Sequence, residues 1–153
     1  MSAESGEVRW AGYGFEIELA ATRDQVWAAL VDPQAWWPAD FHVLGPDSVL
    51  SFEARAGGLL LERQAGMASL LWYQVQLCDP GSALQMVGHL APDWGGPATS
   101  MLSFGLESRP TGTMLRVRDS LIGRFGAETL AALEAGWRGL FGNALVAHFG
   151  PRN

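Results

Sequence analysis

The stretch TRDQVWAALVDPQAWWP, at residues 22–38, predicts two short helices in immediate succession. Thr22 stands three residues before Gln25, which is the spacing of a capping box at the start of a helix. Asp32 followed by Pro33 ends this first helix and suits the N-cap and first position of a second one. The proline that closes the stretch ends the second helix, so we expect both helices to be short.

Strand patterns lie on both sides of this helical pair. Residues 14–20, GFEIELA, alternate apolar and acidic side chains, which predicts a strand with one face in solvent. From about residue 48 to 120, strand patterns alternate with turn signals such as DPG at 79–81, and an antiparallel meander is the simplest interpretation. Residues 127–149 then predict the one long amphipathic helix of the chain.

This order of elements resembles the helix-grip fold of the START-like (SRPBCC) superfamily. The resemblance implies an α+β fold with a curved antiparallel sheet of about six or seven strands, two short helices after the first strand, and a long C-terminal helix packed across the sheet. Three motifs are similar to the branch named after the activator of the Hsp90 ATPase: Gly57-Gly58 at a hairpin, T-G-T-x-L-x-V at 111–117, and Gly136-Trp137 in the last helix. The resemblance covers about residues 14–149, and we expect residues 1–153 to form a single domain.

The resemblance implies a cavity between the concave face of the sheet and the last helix, which would bind or transform a hydrophobic small molecule. It does not identify the molecule. The branch takes its name from a co-chaperone domain, and we do not carry that activity over to this chain. Asp119 stands near the place where the branch often has a histidine, so any role of that histidine is not carried over either.

Composition excludes several classes of function. The net charge is −6, which has the wrong sign for holding a phosphate backbone, so we expect neither nucleic acid nor an anionic membrane as a partner. All ten cationic side chains are arginines, which excludes Schiff-base chemistry on lysine and Walker-type phosphate binding. Cys78 is the only cysteine, no apolar run approaches the length of a membrane span, and the first ten residues hold two glutamates and one arginine where a signal peptide carries an excess of bases. We therefore expect a cytoplasmic protein.

Period-two alternation assigns an inward-facing set of side chains to the strands, opposite the apolar stripe of the last helix. This set comprises Phe52, Leu61, Tyr73, Met86, Phe104 and Leu115 on the strands, Trp137 and Phe141 on the helix, and the charged residues Arg63 and Asp119 at strand ends. These are the candidate ligand-binding residues. The same pattern is equally typical of a solid core, and alternation alone does not separate a core from the lining of a pocket.

Arg63 and Asp119 are the most informative members of this set, because a charge that faces an apolar interior must be paired or hydrated. Either residue could anchor a carboxylate, carbonyl or hydroxyl of a ligand. The alternative is that both side chains already turn outward at the end of their strands. Burial of Asp119 would raise its pKa, which is the useful direction for a general acid or base.

Metal and cofactor sites find little support in the sequence. The three histidines, His42, His89 and His148, lie in distant elements and would have to converge to hold a metal ion. We place His148 on the inner stripe of the last helix and His89 on the outer face of its strand. No dinucleotide-binding glycine motif precedes a helix and no G-x-S-x-G motif occurs, so we expect no cofactor and assign no catalytic residue.

Three classes of function therefore remain open: a protein that binds a hydrophobic small molecule, an enzyme of the cyclase, dehydratase or hydrolase type acting in the same cavity, and a co-chaperone-like interaction module. Oligomeric state is open as well. The rear of the last helix carries small residues where a solvated face normally carries charge: Ala131, Ala132, Ala135, Gly136, Gly139, Gly142 and Val146. This face either packs against a second copy in a homodimer or is an alanine-rich exposed surface.

Overall fold

A seven-stranded antiparallel sheet forms the body of the molecule, with strand order β1-β7-β6-β5-β4-β3-β2. The computed structural model describes residues 3–150. The strands are β1 (Arg9–Leu19), β2 (Val49–Phe52), β3 (Leu59–Arg63), β4 (Ser69–Asp79), β5 (Ala83–Leu90), β6 (Ala98–Arg109) and β7 (Gly112–Gly123). The helices are α1 (Arg23–Leu30) and a long C-terminal helix made of α2 (Ala127–Gly139), a π-helical segment (Leu140–Leu145) and α3 (Val146–Phe149). The predicted α+β helix-grip architecture is confirmed.

The helical pair after β1 forms largely as predicted. Thr22 Oγ1 accepts a hydrogen bond from the backbone N–H of Gln25, and the Gln25 side chain accepts one from the backbone N–H of Thr22, so the capping box is complete. The second helix is only a 3₁₀ turn (Pro33–Ala35), and the side chain of Asp32 makes no capping hydrogen bond to it. A further 3₁₀ turn, Ala39–Phe41, follows it.

The meander is confirmed, but β1 is longer than predicted. It begins at Arg9 and pairs with β7 from Arg9 opposite Gly123 to Leu19 opposite Thr113. The first five residues of this strand include Gly12, so their sequence lacks the clean alternation of residues 14–20. Pairing with a long neighbouring strand, rather than local alternation, extends β1 at its start.

The predicted orientation of β3 is wrong. Leu60 and Glu62 are buried, whereas Leu61 is half-buried and Arg63 is exposed. The run of three leucines at 59–61 fits either phase of the strand, so alternation could not decide between Glu62 and Arg63. A shift in the pairing of β3 with β4 between Leu60 and Leu61 further breaks the simple alternation.

The last helix changes phase near its end. The π-helical segment Leu140–Leu145 holds an extra residue in its turn, which rotates the following residues by roughly 100° relative to a continuous α-helix. Leu145 is consequently fully buried, and His148, which we placed on the inner stripe, is exposed. On the predicted rear face, Ala131, Ala132 and Ala135 are exposed as expected, but Val146 packs against the core and Gly142 lies beside Ile17, so these two do not belong to that face.

The core lies between the concave face of the sheet and the helices. Its centre is rich in aromatic rings, and Trp36, Trp37, Phe41, Trp72, Trp137 and Phe141 form an interlinked cluster with neighbouring ring centroids 5.1–6.4 Å apart. The indole N–H of Trp36 donates to the backbone carbonyl of Ala29 at 2.7 Å and so fixes the 3₁₀ turns to α1. No helix within residues 3–150 is both long and apolar enough to cross a membrane.

Candidate functional site

The centre of the interface between sheet and helix is almost filled. A void of about 20 Å³ remains there, walled by Phe52, Met86, Phe104, Trp137 and Phe141 among others. The rings of Phe104 and Phe141 pack with their centroids 5.1 Å apart. Leu115, another strand residue of the predicted set, is fully buried in the core. The middle of the predicted pocket is therefore core.

A larger cavity of about 260 Å³ lies nearer one edge of the same interface. Strands β4, β5 and β6, helix α2, the loop before β2 and the turn before β6 supply its walls. The lining residues are Val43, Leu70, Leu71, Trp72, Tyr73, Gly88, His89, Leu90, Trp94, Ser100, Leu133 and Trp137. Val43, Leu71 and Trp94 are about half exposed, with 51%, 49% and 48% of their surface accessible, so the cavity has an apolar, solvent-exposed rim. From the predicted set, only Tyr73 and Trp137 line this cavity.

Gly88 allows Tyr73 to lie across the floor of the cavity. A Cβ atom at Gly88 would stand 2.9 Å from the ring of Tyr73 and 2.5 Å from the backbone oxygen of Trp72. Real Cβ atoms do not approach other atoms that closely, so only glycine fits at this place in β5. The small residue therefore sets the position of the Tyr73 hydroxyl.

A chain of hydroxyl groups connects the cavity wall to a buried carboxylate. Tyr73 Oη lies 2.8 Å from Ser100 Oγ, and Ser100 Oγ donates to Asp119 Oδ1 at 2.7 Å. On the far side, Tyr13 Oη donates to Asp119 Oδ2 at 2.7 Å. Asp119 thus faces inward as predicted and is only 1% exposed, but it lies behind Ser100. Tyr13 and Ser100 were not predicted, because only strand pairing brings them beside Asp119.

Burial controls the ionisation of this network. It raises the pKa of Asp119 above its usual range, and the hydrogen bonds from Ser100, Tyr13 and the backbone N–H of Ser120 only partly oppose this effect. Burial also raises the pKa of Tyr73 and of Tyr13, and the nearby Asp119 charge raises both further. Both phenols are therefore neutral hydrogen-bond donors at ordinary pH.

Glu62 is a second buried carboxylate, and it fixes one wall of the cavity. Its oxygens accept hydrogen bonds from four donors: the backbone N–H groups of Val43 and Leu44, Ser48 Oγ and the indole N–H of Trp72, at 2.6–3.0 Å. Burial acts to raise the pKa of Glu62, but these hydrogen bonds outweigh it and hold the pKa below its usual value. Glu62 thereby positions both Val43 and Trp72 at the cavity. It was missed because β3 was assigned the opposite phase.

The histidines remain separate from one another. His42 Nδ1 lies 2.8 Å from Ser48 Oγ, His89 Nδ1 lies 3.0 Å from Thr99 Oγ1 on the outer face of the sheet, and His148 is exposed in α3. Across residues 3–150, no group of three His, Cys, Asp or Glu side chains is placed to hold a metal ion.

A family model places the chain among known proteins. Residues 20–150 match the model described as Activator of Hsp90 ATPase homolog 1-like protein. The chain belongs to that family. A search of the curated proteins finds no match to this chain.

Solved structures show the same fold as this chain. The Mll3558 protein from Rhizobium loti is 23% identical with a TM-score of 0.72, and the match covers 93% of this chain and 99% of that one. Protein CV1439 from Chromobacterium violaceum is 20% identical with a TM-score of 0.66, covering 92% and 97% of the two chains. DynU16, from the dynemicin biosynthetic locus, is 22% identical with a TM-score of 0.65, covering 92% of this chain and 48% of that one.

Within this member of the family, nine of the ten predicted site residues divide into three groups, and the tenth, Leu61, is half-buried and lines neither the cavity nor the void. Tyr73 and Trp137 line the larger cavity. Phe52, Met86, Phe104, Leu115 and Phe141 belong to the core or the small void at its centre, where Trp137 also lies. Of the two charged anchors, Asp119 reaches the cavity wall only through Ser100, and Arg63 points into solvent.

Proposed function

We propose that this protein binds a hydrophobic small molecule in the cavity of about 260 Å³ between the sheet and the C-terminal helix. The observation that carries the proposal is the lining of this cavity, which is apolar and aromatic with a few polar groups at defined places. Binding sites for small molecules generally have this composition. Membership of a family with a helix-grip fold supports the same role.

The rim of the cavity supports the proposal as well. Three exposed apolar side chains, Val43, Leu71 and Trp94, surround it. Exposed apolar patches of this kind on a folded protein commonly mark a binding site. The lining contains no Asp, Glu, Lys or Arg, so the site favours a neutral ligand, because a charge moved there from water would lack a partner.

A cavity-filling variant tests this proposal. Leu133 lines the cavity from α2, and Leu133→Phe would place additional ring volume inside it. We expect neutral bicyclic aromatics to raise the melting temperature of the wild type, and Leu133→Phe to weaken their binding at least tenfold. Ala131→Phe is the matched control, because residue 131 is exposed on the opposite face of the same helix. Failure of a broad panel of apolar compounds to bind the wild type would contradict the proposal, as would unchanged binding by Leu133→Phe.

One observation favours a second candidate, an enzyme acting in the same cavity. The hydroxyls of Tyr73 and Ser100 link the cavity wall to Asp119 in a continuous hydrogen-bonded chain. A proton could pass along such a chain between the carboxyl group and a bound ligand, which is what general acid or base chemistry needs. Turnover of an ester or polyketide-like substrate should then fall at least a hundredfold in Asp119→Asn. Turnover that survives this substitution unchanged would exclude Asp119 from the reaction.

A further inference from the structure

The indole nitrogen of Trp137 is a buried donor without an acceptor. Trp137 is only 4% exposed, and its Nε1 has no hydrogen-bond partner within the part of the chain that the structure describes. Two neighbouring indoles in the same aromatic cluster are satisfied: Trp36 donates to the carbonyl of Ala29, and Trp72 donates to Glu62. A buried N–H that lacks an acceptor costs folding free energy, so the exception requires an explanation.

The space beside Trp137 restricts where an acceptor could come from. The side chain borders both the small central void and the larger cavity. The void, at about 20 Å³, could hold at most a water molecule. Its walls are apolar and aromatic side chains, whereas a buried water molecule needs two to four polar partners. The larger cavity has the room for a ligand and, at Ser100 and Tyr73, additional polar groups.

The charges around the cavity restrict the kind of acceptor. No lysine or arginine lines it, and His89, the one histidine of the lining, is exposed with its Nδ1 at Thr99, so a ligand carboxylate would be buried without a counter-ion. A carbonyl oxygen is uncharged and needs no counter-ion. Unlike a hydroxyl group, it carries no proton that would itself need an acceptor. A ketone or ester oxygen is therefore the acceptor that suits Trp137 best.

We infer that the ligand of this cavity is a neutral, largely apolar carbonyl compound whose oxygen accepts a hydrogen bond from Trp137 Nε1. The inference rests on the proposed function and adds the chemical class of the ligand. The rings of Trp72, Tyr73 and Trp94 line the same cavity and suit a planar carbon skeleton attached to that carbonyl.

Two probes of nearly equal shape test the inference. In 2-acetylnaphthalene a carbonyl oxygen occupies the place that a methylene group occupies in 2-isopropenylnaphthalene. The hydrocarbon is the more hydrophobic of the two probes, so their affinities are not compared directly. The readout is the dissociation constant of the hydrocarbon divided by that of the ketone, and this ratio is compared between protein variants. In Trp137→Phe, which removes the N–H, we expect this ratio to fall about tenfold relative to the wild type, as for the loss of one hydrogen bond.

Trp94→Phe is the matched control, because Trp94 lines the same cavity at its exposed rim. There the ratio should stay at the wild-type value. A ratio that is unchanged in Trp137→Phe while both probes bind would overturn the inference and leave the proposed function intact. Failure of both probes and of the broad panel of apolar compounds to bind the wild type would overturn the two together.

A second measurement uses the wild-type protein and does not depend on whether a Trp137 variant folds. In wild-type protein labelled with ¹⁵N-tryptophan, the indole proton of Trp137 should move downfield on addition of the ketone, because hydrogen bonding deshields the proton. The hydrocarbon should not produce this shift. Equal shifts with the two probes would show that ring stacking, and not a hydrogen bond, is being reported, and would contradict the inference.

Discussion

At the scale of single residues, two buried carboxylates show how local donors decide ionisation. Glu62 is fully buried and Asp119 is 1% exposed, so water solvates neither of them well. Glu62 receives hydrogen bonds from two backbone N–H groups, a hydroxyl and an indole, and these outweigh the effect of burial. Asp119 receives two hydroxyls and one backbone N–H, and there burial prevails. The two pKa values therefore move in opposite directions.

Glu62 should stabilise the protein in a pH-dependent way. Because its pKa is lower in the folded chain than in the unfolded chain, its contribution is fully present above the unfolded value of about 4.3 and is lost as the pH falls through the folded value. We expect Glu62→Gln to lower the free energy of unfolding by about 1–3 kcal/mol at pH 7, since the amide cannot accept all four hydrogen bonds. Urea denaturation at pH 7 and pH 3 should show a smaller difference at the lower pH. An equal difference at both values would contradict this role.

Asp119 should have the opposite effect on stability. Its pKa is raised in the folded chain, so the folded state binds a proton more tightly, and stability falls as the pH rises from the unfolded value of about 3.9 through the folded value. In Asp119→Asn this decline should disappear, because the amide does not ionise. The free energy of unfolding of the wild type and of Asp119→Asn, measured between pH 3.5 and pH 8, tests this expectation. Glu62→Gln is the control, because it keeps Asp119 and should retain the decline. A variant that keeps the same decline would show that another group causes it.

At the scale of elements, β4 and β5 come into close contact at Gly88, next to the paired residues Gln74 and Val87. The ring of Tyr73 lies over the glycine, and its hydroxyl reaches Ser100 on β6. The position of the Tyr73 hydroxyl at the cavity therefore depends on residue 88 having no side chain. The same close approach explains why the strand interior holds a glycine, a residue that otherwise weakens strands.

Replacing this glycine should disturb the site as well as the sheet. Gly88→Ala puts a Cβ within 2.5 Å of the Trp72 carbonyl and 2.9 Å of the Tyr73 ring, so strand or ring must shift. We expect a loss of about 1–3 kcal/mol in the free energy of unfolding and weaker binding of apolar ligands. Gly105→Ala is the matched control, because a Cβ there meets nothing within 4 Å. If the two variants have equal stability in urea, the close approach does not constrain residue 88.

At the scale of the whole molecule, packing is uneven along the interface between sheet and C-terminal helix. The centre, around Phe104 and Phe141, is nearly solid, whereas open volume lies nearer the edge, at Leu133 and Trp94. An apolar space that remains unfilled costs stability relative to a packed core. Such spaces are commonly retained where a protein binds something, and this supports the proposed ligand site.

The rear face of the C-terminal helix makes a prediction about assembly. Ala131, Ala132 and Ala135 are exposed, and a Cβ at Gly136 or Gly139 would meet nothing within 4 Å in the residues described. A second copy could therefore approach the helix closely. If light scattering reports a dimer, Gly139→Arg should convert it to a monomer.

Gln85→Arg adds the same charge at an exposed position on β5 and should leave this dimer intact. A wild type that is monomeric would favour the alternative of an alanine-rich exposed surface. A dimer that survives Gly139→Arg would place the interface elsewhere on the molecule.

The sequence by itself determined the order of elements and the fold class. The capping box at Thr22, the period-two strands and the long amphipathic helix are local patterns, and local patterns fix which element forms. Motifs at residues 57–58, 111–117 and 136–137 also sufficed to indicate the family. Tyr73 and Trp137 could be predicted at the cavity because clean alternation or helical spacing assigned them to the inner face.

Only the tertiary structure decided two features of the molecule. These are which face turns inward in elements with an ambiguous local pattern, and where the cavity lies. Glu62 rather than Arg63 faces inward because distant donors from the loop before β2 and from Trp72 satisfy its carboxylate. The π-helical segment puts Leu145 in the core and His148 in solvent, since one extra residue in the helical turn rotates everything after it. The cavity lies nearer Trp94 than Phe104 because side chains from many separate elements fill the centre, and the sum of their volumes is a property of packing that no single stretch of sequence contains.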